Sequence, residues 1–276
     1  MQSTLRELAK EEKMASMALM MLDARCPLSS RNPQLEDIFS RKGLIYLLNK
    51  TDLASVRITR SWLDCFKSQG LDIMAVSCRA GSGRKQLLNL IRQRKSAYEE
   101  KQVQRSRGSN FRLVVVGIPN TGKSSLINML ALGRSVKTGK KPGLTRGRQW
   151  LKVSGGVEIL DSPGVMVPRM DMEDTPWILG AVGSIRQEVL PLEEVASRLI
   201  NFLRVRDLMP GDLFENPKLG TPMDLLEQLA RSRGYLGPGG EPDTVRGAVQ
   251  FLKLFREGRM GRISLEEPPS GDMTGD

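Results

Sequence analysis

The residues best suited to chemistry begin at Gly117. Gly117-Ile118-Pro119-Asn120-Thr121-Gly122-Lys123-Ser124 fits the phosphate-loop pattern GxxxxGKS. It directly follows an apolar run, Leu113–Val116, and opens a helical pattern, which is the context such a loop needs. The glycines let backbone N–H groups face phosphate oxygens, and the new helix adds its positive end. Thr121, Gly122, Lys123, Ser124 and Ser125 would form the cradle. In it Lys123 bridges the β- and γ-phosphates and the Ser124 hydroxyl ligates Mg²⁺.

Other short motifs stand at the ends of other apolar runs. Asn49-Lys50-Thr51-Asp52 follows Leu44–Leu48 and has the NKxD form by which GTPases read guanine. A carboxylate such as Asp52 can accept from both N1–H and the exocyclic amine of guanine, whereas adenine presents no such donor pair, so GTP is favoured over ATP. Taken alone, the tetrapeptide could also be a turn with a helix cap. Ser77-Cys78-Arg79 follows Ile73–Val76, where a supporting loop would stand, and the Cys78 backbone N–H is the expected donor to guanine O6. Asp161-Ser162-Pro163-Gly164 closes Val157–Leu160 and reads as a DxxG switch, with Asp161 holding Mg²⁺ through water and the Gly164 N–H sensing the γ-phosphate. Its alternative is a tight Ser-Pro-Gly turn. Thr145, between the phosphate loop and DxxG, is the candidate switch threonine covering the metal. Lys123, Thr145 and Gly164 are thus the candidate catalytic set.

These motifs need a scaffold that brings strand ends together. The runs Met17–Leu22, Leu44–Leu48, Ile73–Val76, Leu113–Val116 and Val157–Leu160 read as buried strands of a mainly parallel sheet. Helical patterns separate them at Pro33–Arg41, Thr59–Gln69, Arg84–Arg94 and Lys123–Leu132, the first with Asn32 as N-cap. The alternation predicts a doubly wound α/β fold, which binds ligands at the carboxyl ends of its strands. Lys95–Asn110 is polar and aperiodic and is expected to be a tether between two halves of the sheet. After Val167 only helical patterns remain, at Leu192–Leu203, Pro222–Arg233 and Asp243–Glu257. The expected division is a GTPase unit over 1–170, a helical unit over 171–263 and a disordered tail from Ser264 to Asp276.

Composition limits the partners. The chain has 276 residues and a net charge of +11, with no run approaching the length of a membrane helix. The N-terminus, Met1–Lys13, resembles neither a secretory signal nor a transit peptide, so a cytoplasmic protein with no membrane partner is expected. Cys26, Cys65 and Cys78 show no CxxC spacing, which argues for reduced thiols rather than disulfides or zinc. Arg84–Arg107 holds eight Lys/Arg against two Glu, and Arg134–Arg148 holds six against none. Together they account for the whole excess. A basic stripe beside a nucleotide site suits a larger polyanion, although charge runs are often only a solvated face.

The order of the motifs is the most informative feature. An ordinary G protein runs phosphate loop, switch threonine, DxxG, NKxD and supporting loop. Here Asn49 and Ser77 precede Gly117, Thr145 and Asp161. The site survives such a rearrangement because binding needs only that the strand ends converge in space. The order resembles the circularly permuted GTPases. Within them, Asp23-Ala24-Arg25-Cys26-Pro27-Leu28-Ser29-Ser30-Arg31-Asn32-Pro33, the Gly117–Ser125 and Asp161–Gly164 segments, Phe255-Arg256-Glu257-Gly258 and Gly261-Arg262-Ile263 look like the ribosome biogenesis GTPase A family.

That resemblance spans about Met17–Glu266. It implies a GTPase, slow alone and stimulated by ribosomal subunits, that binds the immature large subunit and its rRNA with GTP and leaves after hydrolysis to GDP. It further implies a helical C-terminal unit that touches RNA. A monomer is expected, although the sequence does not reveal the oligomeric state. Asn120 looks like the phosphate-loop asparagine with which such GTPases hold K⁺; it could equally cap its own loop. Two departures bear on catalysis. Val165 follows Gly164 where many GTPases place a water-orienting glutamine, and the chain has no histidine, whereas the family carries an N-terminal one. A GTPase acting on another RNA or on the small subunit, and a GTP-binding scaffold with little hydrolysis, therefore stay open as alternatives.

Overall fold

The computed structural model describes residues 2–103, 110–131, 150–153, 155–166, 174–211, 213–214 and 216–269. Its centre is a sheet of β1 (Met17–Asp23), β2 (Gly43–Asn49), β3 (Ile73–Ala75), β4 (Phe111–Gly117), β5 (Leu151–Val153) and β6 (Val157–Asp161). The spatial order is β3-β2-β1-β4-β6-β5, parallel throughout except for antiparallel β5 against β6. Every residue of β1 is buried, as expected of a parallel strand covered on both faces.

Alternate residues divide between two layers. Ala18, Met20, Leu22, Leu48, Val114 and Val116 face α1 (Gln2–Met14), α2 (Pro33–Phe39) and α3 (Val56–Ser68). Leu19, Met21, Leu47, Leu113 and Val115 face α4 (Arg84–Val103) and α5 (Lys123–Ala131). A third apolar cluster joins α6 (Thr175–Val182), α7 (Leu192–Val205), α8 (Pro222–Ser232) and α9 (Thr244–Arg256) and includes Cys26 and Ile118 from the sheet part. The helices start where their caps dictate: Asn32 accepts from the Gln34 N–H at α2, and Thr221 and Asp224 form a capping box at α8.

The structure departs from expectation in several places. The presumed tether from Lys95 is helical as far as Val103. Its straight-chain residues favour helix, Lys95 pairs with Glu99 at 3.2 Å, and Tyr98 packs edge-on against Phe111. Helices α1 and α6 and the edge strand β5 are additional to the expected elements. The chain from Ser264 to Glu267 is docked rather than disordered. The Ile263 N–H donates to the Leu53 carbonyl at 3.0 Å and the Leu265 N–H to the Arg25 carbonyl at 2.7 Å. Trp62 Nε1 donates to the Glu266 carbonyl at 3.1 Å, and the Glu266 carboxylate accepts from the Leu28 and Ser29 N–H groups and the Ser29 hydroxyl. A composition rich in proline hid this strap, because each of its polar groups finds its partner far away in sequence. No helix among the described residues is long and apolar enough to cross a membrane.

Candidate nucleotide-binding site

From β1 the chain winds outward through β2 and β3, then returns to β4 on the other side of β1. A doubly wound sheet opens a crevice at such a switch point. Here a cavity of about 830 Å³ lies at the carboxyl ends of β1, β2, β4 and β6. Asn49, Lys50, Asp52, Cys78, Asn120, Gly122, Lys123, Ser124, Ser125, Asp161 and Gly164 all line it. Both halves of the permuted motif set therefore meet around one space.

The phosphate-loop backbone requires its glycines. Gly122 has φ +100°, and a Cβ there would lie 2.2 Å from Asn49 Nδ2; a Cβ at Gly117 would lie 2.6 Å from the Met21 carbonyl oxygen. Asn120 and Lys50 also adopt positive φ, near +60° and +64°, a strained conformation that concentrates at functional sites. Lys123 Nζ donates to the carbonyls of Ile118 at 2.8 Å and Gly117 at 3.2 Å. Burial lowers its pKa to about 8, against an opposing pull from the Asp161 carboxylate.

On the guanine side, Asn49 is a brace. Its Nδ2 donates to the Thr121 carbonyl at 2.7 Å, and its Oδ1 accepts from the Cys78 N–H at 3.0 Å, tying the phosphate loop to the Ser77 loop. The Cys78 N–H, expected to be the donor to guanine O6, is thus already held by Asn49, because the short Ser77 turn aims it back at β2. Asp52 lines the cavity with Oδ1 accepting from the Ser77 hydroxyl at 2.6 Å; Ser77 Oγ in turn accepts from the Ala80 N–H. Burial first, and the Asp52 charge second, push the Cys78 thiol up to about 12, so it stays neutral beside the base position.

Three expected site residues act from behind the cavity rather than lining it. Thr51 donates its hydroxyl to the Val76 carbonyl at 3.0 Å, Thr121 donates to the Ile118 carbonyl at 3.0 Å, and Ser77 reaches the cavity only through Asp52. Thr145 lies outside the described residues.

At the phosphate end, Ser124 Oγ donates to Asp161 Oδ2 at 2.7 Å, and both residues are exposed to the cavity. One hydroxyl and one carboxylate fit Mg²⁺, which takes few protein oxygens and completes its shell with water and phosphate. Among the described residues no group of three His, Cys, Asp or Glu could hold a metal instead. Gly164 stands where a Cβ would clash with Pro119 at 2.8 Å, so only glycine brings that N–H so close to the phosphate loop. Val165 is buried, its N–H donating to the Gly117 carbonyl at 3.3 Å.

Residues outside the expected set line the cavity or stand directly behind it. Asp23, fully buried, accepts from Arg25 Nε at 2.9 Å and Nη2 at 2.8 Å, and pairs with Lys50 Nζ at 2.9 Å. Arg25 lines the cavity, as does Arg256 from α9. Asp23 and Arg25 stand in the segment Asp23–Pro33 quoted above, but nothing local in the sequence aims either at the nucleotide. Asn120 Nδ2 donates to the Gly183 carbonyl at the end of α6 at 2.6 Å.

The family described as 50S ribosome-binding GTPase matches residues 112–211. Ribosome biogenesis GTPase A of Priestia megaterium is 34% identical, the match covering 97% of this chain and 94% of that protein. The protein of the same name from Thermotoga maritima is 34% identical over 89% of this chain and 84% of its own length. The crystal structure of GNP-bound YlqF from T. maritima superimposes with a TM-score of 0.72 at 29% identity, covering 96% of this chain and 98% of that one. A permuted set of guanine-nucleotide motifs converging on one cavity and this near full-length likeness lead to one conclusion: the chain belongs to the ribosome biogenesis GTPase A family and is a GTPase.

Proposed function

We propose that the chain is an assembly factor that binds the immature large ribosomal subunit and its rRNA in the GTP state and is released on hydrolysis. The observation that carries this reading is the contact between the phosphate loop and the helical part, Asn120 Nδ2 to the Gly183 carbonyl, on a helix that also follows DxxG along the chain. A change in the phosphates therefore reaches α6 both by a hydrogen bond and by the covalent path from Gly164. The names of the relatives, which are ribosome biogenesis GTPases, support the same target.

In this reading residues 1–170 form the GTPase unit and 171–263 the helical unit that contacts RNA. Asn49, Lys50, Asp52 and Cys78 serve the guanine end, with Thr51 and Ser77 supporting them from behind. Asn120, Thr121, Gly122, Lys123, Ser124 and Ser125 bind the phosphates. Ser124, Asp161 and Thr145 would hold Mg²⁺, which would supply positive charge against the phosphates. Because the Asn120 amide nitrogen is committed to Gly183, its Oδ1 is the atom available to a K⁺. Lys123, Thr145 and Gly164 complete the catalytic set, with turnover stimulated by subunits.

Part of the expected basic stripe is used internally: Arg84 donates to the Met129 carbonyl, Arg94 pairs with Asp72, and Lys95 donates to the Gly155 carbonyl. Lys85, Arg92 and Lys101 on α4 are exposed and remain for RNA. Arg134–Arg148 lies outside the described residues. Co-sedimentation with large and small subunits, using GDP and a non-hydrolysable GTP analogue, tests the proposal. The expected result is large-subunit binding favoured by the analogue and weakened by neutralising Lys85, Arg92 and Lys101. If six to ten phosphates are contacted, affinity falls on the order of a thousandfold between about 50 and 200 mM salt. Equal binding in both nucleotide states, or a preference for small subunits, would overturn it.

A further inference from the structure

The last turn of α6 is held in an unusual way. Four successive carbonyls at this helix end accept from side chains, and the first of them, that of Gly180, also accepts from the Gly183 N–H at 3.0 Å. The Gly180 carbonyl accepts from Arg256 Nη2 at 2.8 Å and the Ala181 carbonyl from Arg256 Nε at 3.0 Å. The Val182 carbonyl accepts from Arg25 Nη2 at 3.4 Å and the Gly183 carbonyl from Asn120 Nδ2 at 2.6 Å. All three of these side chains line the nucleotide cavity.

The two arginines differ in charge balance. Arg25 is buried against Asp23, which Lys50 also shares. Arg256 is half-buried, and among the described residues no carboxylate pairs with it; its hydrogen bonds go to carbonyls alone. Its neighbour is another cation, and burial and then the Arg25 charge both disfavour its charged form. The charged residues that line the cavity are Arg25, Lys50, Arg79, Lys123 and Arg256 against Asp52 and Asp161, with Asp23 buried behind Arg25 and Lys50. The place of Arg256 is built with care. Gly183 has φ +81°, and a Cβ there would lie 3.2 Å from Arg256 Nε, so glycine lets the guanidinium lie flat against the helix end.

We propose that Arg256, on the last helix of the chain, is a nucleotide-binding residue whose guanidinium donates to phosphate oxygens of bound GTP or GDP. Nε and Nη2 are engaged by α6, Nη1 makes no hydrogen bond among the described residues, and Arg256 lines the cavity. Phosphate is the ligand chemistry that suits it: a guanidinium with no carboxylate beside it favours an oxyanion, while the polar edge of guanine is matched by Asp52. The helix it caps is the one that Asn120 of the phosphate loop touches. One guanidinium therefore serves the nucleotide and the end of α6 together, so the C-terminal helices form part of the nucleotide site. The proposal rests on the GTPase reading of the cavity.

The experiment titrates the full-length chain and its Arg256→Gln variant with GTP, GDP and guanosine, beside thermal melts without nucleotide. Glutamine keeps an amide donor for a carbonyl and removes the charge. The expected result is a loss of GTP and GDP affinity of about 10- to 100-fold, with guanosine affinity changed by less than about twofold. Should Arg256→Gln fail to fold, Arg256→Lys is measured instead. Lysine cannot span two carbonyls and a phosphate, so the GDP-to-guanosine affinity ratio should still fall by at least about threefold. An unchanged ratio in a folded variant, or equal weakening of GDP and guanosine, would assign Arg256 to packing alone and overturn the proposal. A wild-type chain that binds GDP no more tightly than guanosine would overturn the phosphate-site reading and the proposal with it.

Discussion

Lys50 Nζ lies 2.9 Å from Oδ2 of Asp23, the residue that pairs in register with Asn49 across β1 and β2. The guanine motif is therefore anchored by a buried carboxylate on the neighbouring strand, and that carboxylate is also gripped by Arg25. Burial by itself would raise the Asp23 pKa. The Arg25 and Lys50 charges overcome it and hold the carboxyl well below the usual range.

Asp23→Asn should therefore destabilise the fold by about 3–5 kcal/mol, because it leaves the Arg25 guanidinium buried without its counter-charge. A depressed carboxyl pKa contributes stability that is present above the unfolded value of about 4 and lost as pH falls through the folded one. Denaturant titrations between pH 7 and 3 should show the wild type losing more stability than Asp23→Asn. Parallel loss in both would show that Asp23 is not the group responsible.

Guanine selectivity should rest on Asp52. Asp52→Asn is expected to weaken GTP roughly 10- to 100-fold and to favour xanthosine triphosphate. Ser77→Ala, which removes only the hydroxyl that orients the carboxylate at 2.6 Å, should cost less than Asp52→Asn. Fluorescence titrations with the two triphosphates check both, and unchanged GTP affinity in Asp52→Asn would remove the motif from the site.

Lys123 predicts a pH dependence of binding. Its pKa is lowered by burial to about 8 before nucleotide binds, and phosphate favours the protonated form. Binding near pH 8 should then take up protons, and affinity should fall on the order of fourfold from pH 7 to 8.5 as the free lysine loses its charge. Calorimetry in two buffers of different ionisation heat measures the uptake. Lys123→Ala should abolish binding, whereas Ser124→Ala should mainly abolish hydrolysis.

The strap at the C-terminus should stabilise the first half of the chain. Glu266→Ala removes the acceptor for the Leu28 and Ser29 N–H groups and the Ser29 hydroxyl, and a loss of about 1–3 kcal/mol is expected. A chain ending at Ile263 should lose at least as much, since Leu265 and the Trp62 partner go too. Unchanged melting temperatures in both would show that the strap is dispensable.

What the sequence by itself determined are the features whose cause is local. The five apolar runs became strands because both faces of a parallel sheet are covered, and the phosphate loop could be recognised because its glycines answer to backbone geometry within the loop. The motif order likewise sufficed to show a permuted site. The tertiary structure decided the rest, for reasons that act at long range. Glu266 reads as part of a proline-rich tail until its carboxylate meets Leu28 and Ser29, more than two hundred residues away in sequence. That the Cys78 N–H donates to Asn49 Oδ1 is likewise not written in the residues around either one. Arg256 is one basic residue at a helix end in the sequence, and only the packing of α9 against the end of α6 brings it to the cavity. Backbone preferences are written in neighbouring residues, but a buried charge or donor takes its meaning from whatever the fold places opposite it.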